Sequence, residues 1–187
     1  MASLKKRLRN FLFDLTAPLY DRIIGENASI DVPIYRGGYT LDLGGGTGRV
    51  TRELENVIVV DVSFQMLRQS IKRGKFAVRA EAESLPFRDN AFAQIVIVDA
   101  LHHFLDQKSA LQEAFRVLEP DGSIYIEEPN IDTFPVKVVA LLERMALMGS
   151  RFFSKKDIVS LAEELGFDVS SEETEPYYIR LTLKKPL

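Results

Sequence analysis

The chain has 187 residues, 46% of them hydrophobic and 27% charged, with a formal net charge of −3. That length suits one domain with a substantial core, and the charge leaves no net electrostatic footprint for nucleic acid. With no cysteine and only two histidines, His102 and His103, a disulfide framework and a thiolate metal site are excluded, and no metal is expected.

The first nine residues, Met1 to Arg9, are basic. The apolar stretch after them is interrupted by Asp14 and Pro18, so it lacks the core of a signal peptide. No apolar run is long enough to span a bilayer. A cytoplasmic protein is expected. Leu4, Leu8, Phe11, Leu12 and Leu15 recur at helical spacing, which predicts an amphipathic helix with a basic face. It opens a helical cap over residues 1–36, either packed across the domain or serving as a lid or membrane-touching surface.

Strands and helices then alternate. Thr40 to Gly44 reads as a strand ending in a glycine turn, with Arg49 to Leu54 opening a helix. Val57 to Val62 is an almost wholly apolar strand, as a parallel sheet covered on both faces requires. Phe64 to Arg73 is a helix stopped by Gly74, and Phe76 to Ala80 the third strand. Ile95 to Val98 is the fourth. Leu111, Ala114, Phe115 and Leu118 mark a helix that Pro120-Asp-Gly122 ends in a turn. Ser123 to Glu127 is the fifth strand. Val136, Val138, Val139, Ala140, Leu141, Leu142, Met145, Leu147 and Met148 make the segment 129–153 apolar nearly all round a helix. Such a helix is buried, lines an apolar pocket or meets a partner. Ser154-x-x-Asp157 opens the last helix as a capping box, and Gly166 closes it. Two closing strands, near Asp168–Glu173 and Tyr177–Lys184, form an antiparallel pair. The sum is an α/β fold: a doubly wound, mostly parallel, seven-stranded sheet with an antiparallel edge strand.

The chemistry is expected at the carboxyl ends of the strands. The glycine pattern is Asp42-x-Gly44-x-Gly46-x-Gly48. A dinucleotide fingerprint starting at Gly44 needs a third glycine or alanine where Arg49 stands. Asp61, at the tip of the second strand, is placed to accept from two vicinal ribose hydroxyls; a helix-terminal acid and a Ser63 cap are the plainer alternative. At these residues the chain resembles the class I S-adenosylmethionine (SAM)-dependent methyltransferases, and Ala17-Pro-Leu-Tyr20-Asp21 resembles the ubiquinone/menaquinone group among them.

The resemblance implies SAM as cofactor. It places Gly44, Gly46 and Gly48 at the methionine part, and Asp61 and Val62 at the ribose with Met66 near the adenine. Glu81 and Ala82, in Ala80-Glu-Ala-Glu-Ser-Leu-Pro-Phe87, would meet the adenine amino group; the family more often has Gly-Asp where Ala80-Glu81 stands. Asp42 orients the glycine turn by accepting backbone N–H groups or reaches the cofactor's amino group. Asp99 and Leu101 lie beside the transferable methyl, and Tyr20 bounds the sulfonium. Asp99 and His102 are the catalytic candidates, Asp99 orienting the acceptor and either His102 or His103 acting as general base, or capping and packing instead.

The implied reaction moves the methyl of SAM to a small acceptor, apolar if the 129–153 helix lines its pocket, with residues 129–153 as the substrate-side insertion of a single domain spanning 1–187. Peripheral membrane contact and a homodimer stay open. So do two other classes: a SAM-binding adaptor without turnover, and a nucleotide-dependent oxidoreductase, against which Arg49 argues.

Overall fold

A computed structural model of the chain describes residues 10–15, 37–145 and 150–187. Tyr20, and the expected cap apart from a helical stretch at residues 10–15 (α1), lie outside the described residues.

Seven strands build one sheet: β1 (Thr40–Leu43), β2 (Val57–Asp61), β3 (Phe76–Arg79), β4 (Phe92–Val98), β5 (Leu118–Pro129), β6 (Asp168–Thr174) and β7 (Tyr178–Lys184). Their order is β3-β2-β1-β4-β5-β7-β6. The first five run parallel, and β7 lies antiparallel between β5 and β6. The helices are α2 (Phe64–Lys72), α3 (Gln107–Val117), α4 (Phe134–Met145) and α5 (Lys155–Glu164). Among the described residues no helix is long and apolar enough to cross a membrane.

Register explains the core. Leu41, Ile95, Ile124 and Leu183 stand side by side across four strands, all fully buried. Their face packs on Leu111 and Ala114 of α3 and on Ile158 and Ala162 of α5 in one cluster. Each buried leucine or isoleucine among them contributes about 1.5–3 kcal/mol by leaving water. One residue on, the row Val59, Asp42, Val96, Tyr125 and Thr182 turns to the opposite face. A carboxylate, Asp42, is thereby carried into the interior by strand alternation, at 1% exposure.

The capping box forms as the sequence implies, with Ser154 Oγ accepting from Asp157 N–H and the Asp157 carboxylate accepting from Ser154 N–H. Two expectations fail. No helix forms over Arg49–Leu54; residues 44–56 run as a chain of turns from β1 to β2. A six-residue segment is too short to nucleate by itself, and here Thr51 donates its hydroxyl to Asp42 at 2.6 Å. The Pro120–Gly122 turn is not a break between elements but a bulge inside β5. Leu118 pairs with Phe92 and Ser123 with Gln94, so residues 119–122 bow outward, with Asp121 at a left-handed φ of 60°.

Strand order reverses between β1 and β4. A doubly wound sheet leaves a crevice at that switch point, at the carboxyl ends of the strands.

Candidate functional site

The crevice is occupied by a cleft of about 920 Å3, counting its open mouth. The tips of β1, β2 and β4 line it, with residues 80–83 after β3 and Phe13 of α1.

The glycines after β1 divide by what crowds them. A Cβ on Gly44 would stand 2.6 Å from Ala100 Cβ, and one on Gly45 2.2 Å from Asp42 Cγ. Those two let neighbouring strands and the Asp42 carboxylate approach. A Cβ on Gly46 would meet nothing closer than Asp61 Oδ2 and Met66 Sδ, both at 3.9 Å and both in the cleft wall. At Gly46 the missing side chain leaves ligand space rather than packing space. Gly48 faces Ser70 and Val59 instead, away from the cleft.

Asp61 joins the two turns. Its Oδ2 accepts from Gly46 N–H at 3.0 Å and its Oδ1 from Ser63 N–H at 2.7 Å. A carboxylate offers about four lone-pair sites, and these two bonds fix its orientation in the cleft wall. Ser63 separately caps α2, accepting from Met66 N–H, and donates its hydroxyl to Asp14 of α1 at 2.6 Å. The Ser63 cap forms, and Asp61 stands two residues before it.

Asp42 lies beneath the turn. Its described partner is the Thr51 hydroxyl, in place of the backbone N–H groups expected for it. Burial pushes its carboxyl up to about 6. Lining the next wall are Val62, Met66, Glu81 and Ala82. Glu83 lies there too, and its carboxylate accepts from Leu105 and Asp106 N–H at 2.7 and 3.1 Å. The loop that follows is held by Arg116 of α3, which donates to the carbonyls of Leu85 and Phe87 and pairs with Glu113 and Asp89. Phe87 meets Phe92 edge-on at 4.9 Å. That anchorage gives the Leu-Pro-Phe segment a structural purpose.

The far wall is the tip of β4. Asp99 takes a left-handed φ of 55°, a conformation that side-chain-bearing residues adopt mainly at turns and functional sites. Burial raises its carboxyl to about 6, with Glu128 adding to the rise and His102 opposing it. His103 and Phe104 complete the wall, whereas Leu101 and His102 are buried behind it.

Glu128, at the end of β5, organises this corner. Its Oε1 accepts from Ala100 and Leu101 N–H at 2.9 and 2.8 Å, and its Oε2 from His102 N–H at 3.3 Å and from the His102 ring at 2.6 Å. Burial alone would lower the His102 pKa; the Glu128 carboxylate outweighs it and holds the ring above its ordinary value. His102 stacks on Phe152, and His103 touches Phe13 edge-on. Phe13, Arg49, Glu128 and Phe104 are site residues that sequence reasoning misses. Glu128 carries a usable signal, an acid at the tip of a central strand; the others do not.

Among the described residues, none of helix α4 lines the cleft. The helix leaves Phe134, Val138, Val139, Leu141 and Leu142 exposed.

An open α/β sheet with a glycine turn on its first strand and an acid at the tip of its second is the architecture of nucleoside-cofactor proteins. Residues 41–126 match the family model of the methyltransferase domain. The uncharacterised protein MJ1123 of Methanocaldococcus jannaschii is 32% identical over 168 residues, covering 83% of this chain and 80% of that one. The ubiquinone/menaquinone biosynthesis C-methyltransferase UbiE of Citrobacter koseri is 36% identical over 111 residues, covering 51% of this chain. The match spans 44% of UbiE, less than half its length. A SAM-dependent methyltransferase of Thermotoga maritima, described as a possible histamine N-methyltransferase, shares the fold with a TM-score of 0.81 at 22% identity, over 94% of this chain and 99% of its own. The chain belongs to the class I SAM-dependent methyltransferases, and SAM is its cofactor.

Proposed function

We propose that the protein methylates a small, apolar acceptor bound between Asp99, His103 and Phe13. The observation that carries this reading is the coupling of Asp61 to Gly46, which sets an acid beside open backbone in the cleft wall. Asp61 and Val62 hold the ribose and Met66 packs near the adenine, with Glu81 and Ala82 reading its amino group. Gly44 and Gly46 border the methionine part, Asp42 braces the turn from below, and Gly48 and Leu101 act through packing. Tyr20 closes over the sulfonium.

The sulfonium supplies an electrophilic methyl, so the chemistry needs position rather than a strong base. The residues of the cleft hold donor and acceptor in line and exclude water. Asp99 orients the acceptor; His102 positions the wall through Glu128. The relation to UbiE supports a ring-bearing acceptor and carbon as the methylated atom. The whole domain serves one site, with residues 129–153 on the acceptor side, and works in the cytoplasm without nucleic acid. The exposed face of α4 suits a second copy or a membrane surface, which light scattering and vesicle sedimentation separate.

The test is calorimetry with SAM and S-adenosylhomocysteine, followed by transfer of labelled methyl to a panel of small aromatic acceptors. Firm binding with label moving to one acceptor class supports the reading. Binding without transfer across broad panels favours a cofactor-dependent adaptor.

A further inference from the structure

The sequence alone predicts no metal site. The fold nevertheless brings His102 and His103, on the 3-10 turn Leu101–His103, against Glu143 of α4. One ligand atom from each lies within 4.8 Å of the others. Glu143 is far along the chain from the two histidines, so no local motif announces the group.

Three further observations point to a cation. Glu143 Oε2 is sealed from solvent and has no hydrogen-bond partner among the described residues. Removing a carboxylate oxygen from water without a donor is costly, and a metal ion relieves that cost directly. Both rings are also held at Nδ1: Glu128 engages His102 Nδ1 at 2.6 Å and the Ser150 hydroxyl engages His103 Nδ1 at 3.0 Å. A carboxylate that accepts from the far nitrogen of a histidine is the usual support of a metal-binding imidazole. Finally, Phe152 stacks on one ring and Phe13 abuts the other, a shell of low polarity around the group.

We propose that His102, His103 and Glu143 form a binding site for a first-row divalent metal ion. Two imidazoles and one carboxylate suit Zn2+, Co2+ or Fe2+ rather than Mg2+ or Ca2+, which prefer all-oxygen sets. His103 belongs both to this triad and to the cleft wall. The metal therefore borders the acceptor end, where it takes an acceptor oxygen as a further ligand. That role rests on the methyl-transfer reading; the metal site does not.

The experiment uses the full chain, stripped with a chelator and titrated with Co2+ while the visible spectrum is recorded. Zn2+ is then measured by competition against a chromogenic chelator. One saturable equivalent is expected, with a visible Co2+ spectrum that Zn2+ abolishes. Glu143→Gln keeps the shape of the side chain and should weaken the metal by roughly tenfold or more, by analogy with losses seen for supporting groups. Circular dichroism and S-adenosylhomocysteine binding, measured in parallel, verify that this variant is folded. Wild-type protein without a saturable Co2+ signal overturns the site, as does a folded Glu143→Gln with unchanged metal affinity. Cofactor binding without metal removes only the metal; metal without cofactor removes the methyl-transfer reading and leaves the metal site standing.

Discussion

The two ends of the cleft are built differently. At the donor end, the Gly46 N–H donates to the Asp61 carboxylate just past the tips of two neighbouring parallel strands, and Ser63 caps the helix that follows within three residues. At the acceptor end, Asp99 and His103 stand on a short turn whose N–H groups are gathered by Glu128, and Ser150 and Phe152 buttress it from farther along the chain. The donor end is local, main-chain geometry. The acceptor end is a convergence of side chains from separate segments. A cofactor common to a family can be held by the first kind of construction; an acceptor that differs between members needs the second.

The largest effect that would break this contrast is expected at Gly46. Gly46→Val places a branched side chain in the ligand space at a left-handed φ of 54°. Cofactor affinity should fall by roughly 1,000-fold, about 4 kcal/mol, while thermal melting still reports a folded protein. Normal affinity would move the cofactor away from this turn.

Asp42 supplies a pH test of the donor end. Its folded carboxyl, raised to about 6 from 3.8, keeps a proton that the unfolded chain has already released in that window. The folded chain therefore binds more protons between about pH 4 and 6, and stability from this group falls as pH rises through it. The loss is about 3 kcal/mol at neutral pH. Denaturant melts of Asp42→Asn should lack that component; a slope equal to that of wild type would refute the assignment.

Gly45→Ala should act on the fold, since its Cβ would stand 2.2 Å from Asp42 Cγ. A destabilisation of about 2–3 kcal/mol is expected, and chemical denaturation measures it. Equal stability would show that the turn is looser than its geometry implies.

Asp61→Ala should weaken S-adenosylhomocysteine by about 2 kcal/mol, the scale of lost charge-assisted hydrogen bonds. Calorimetry that finds no change would take Asp61 out of the site. The smallest effect is expected across the cleft. Asp99→Asn should lower turnover about tenfold, or 1.4 kcal/mol, and leave cofactor affinity within a fewfold range. A variant that loses the cofactor instead would merge the two ends into one.

Much of the donor end is legible in the amino-acid sequence. Gly46 and Asp61 are readable because the strand-turn-helix pattern concentrates the signal within a few residues. The limits of that legibility are also physical. The segment Arg49–Leu54 has the composition of a helix, yet Thr51 spends its hydroxyl on Asp42 and the chain stays in turns. His102 and His103 are interchangeable as sequence neighbours, and only the turn they sit on sends one behind the wall and the other into it.

The amino-acid sequence by itself determined the alternation of strands and helices, the caps, the glycine turn and the acid opposite it. Each of those depends on spacing over a few residues, through side-chain periodicity and backbone freedom. Tertiary structure alone decided the swap that seats β7 between β5 and β6, the grip of Arg116 on the Leu85–Phe87 carbonyls and the reach of Glu128 under the Ala100–His102 turn. It also decided the meeting of His102 and His103 with Glu143. These contacts join residues distant in the chain, and their partners are chosen by how whole elements pack, which no short stretch of sequence encodes.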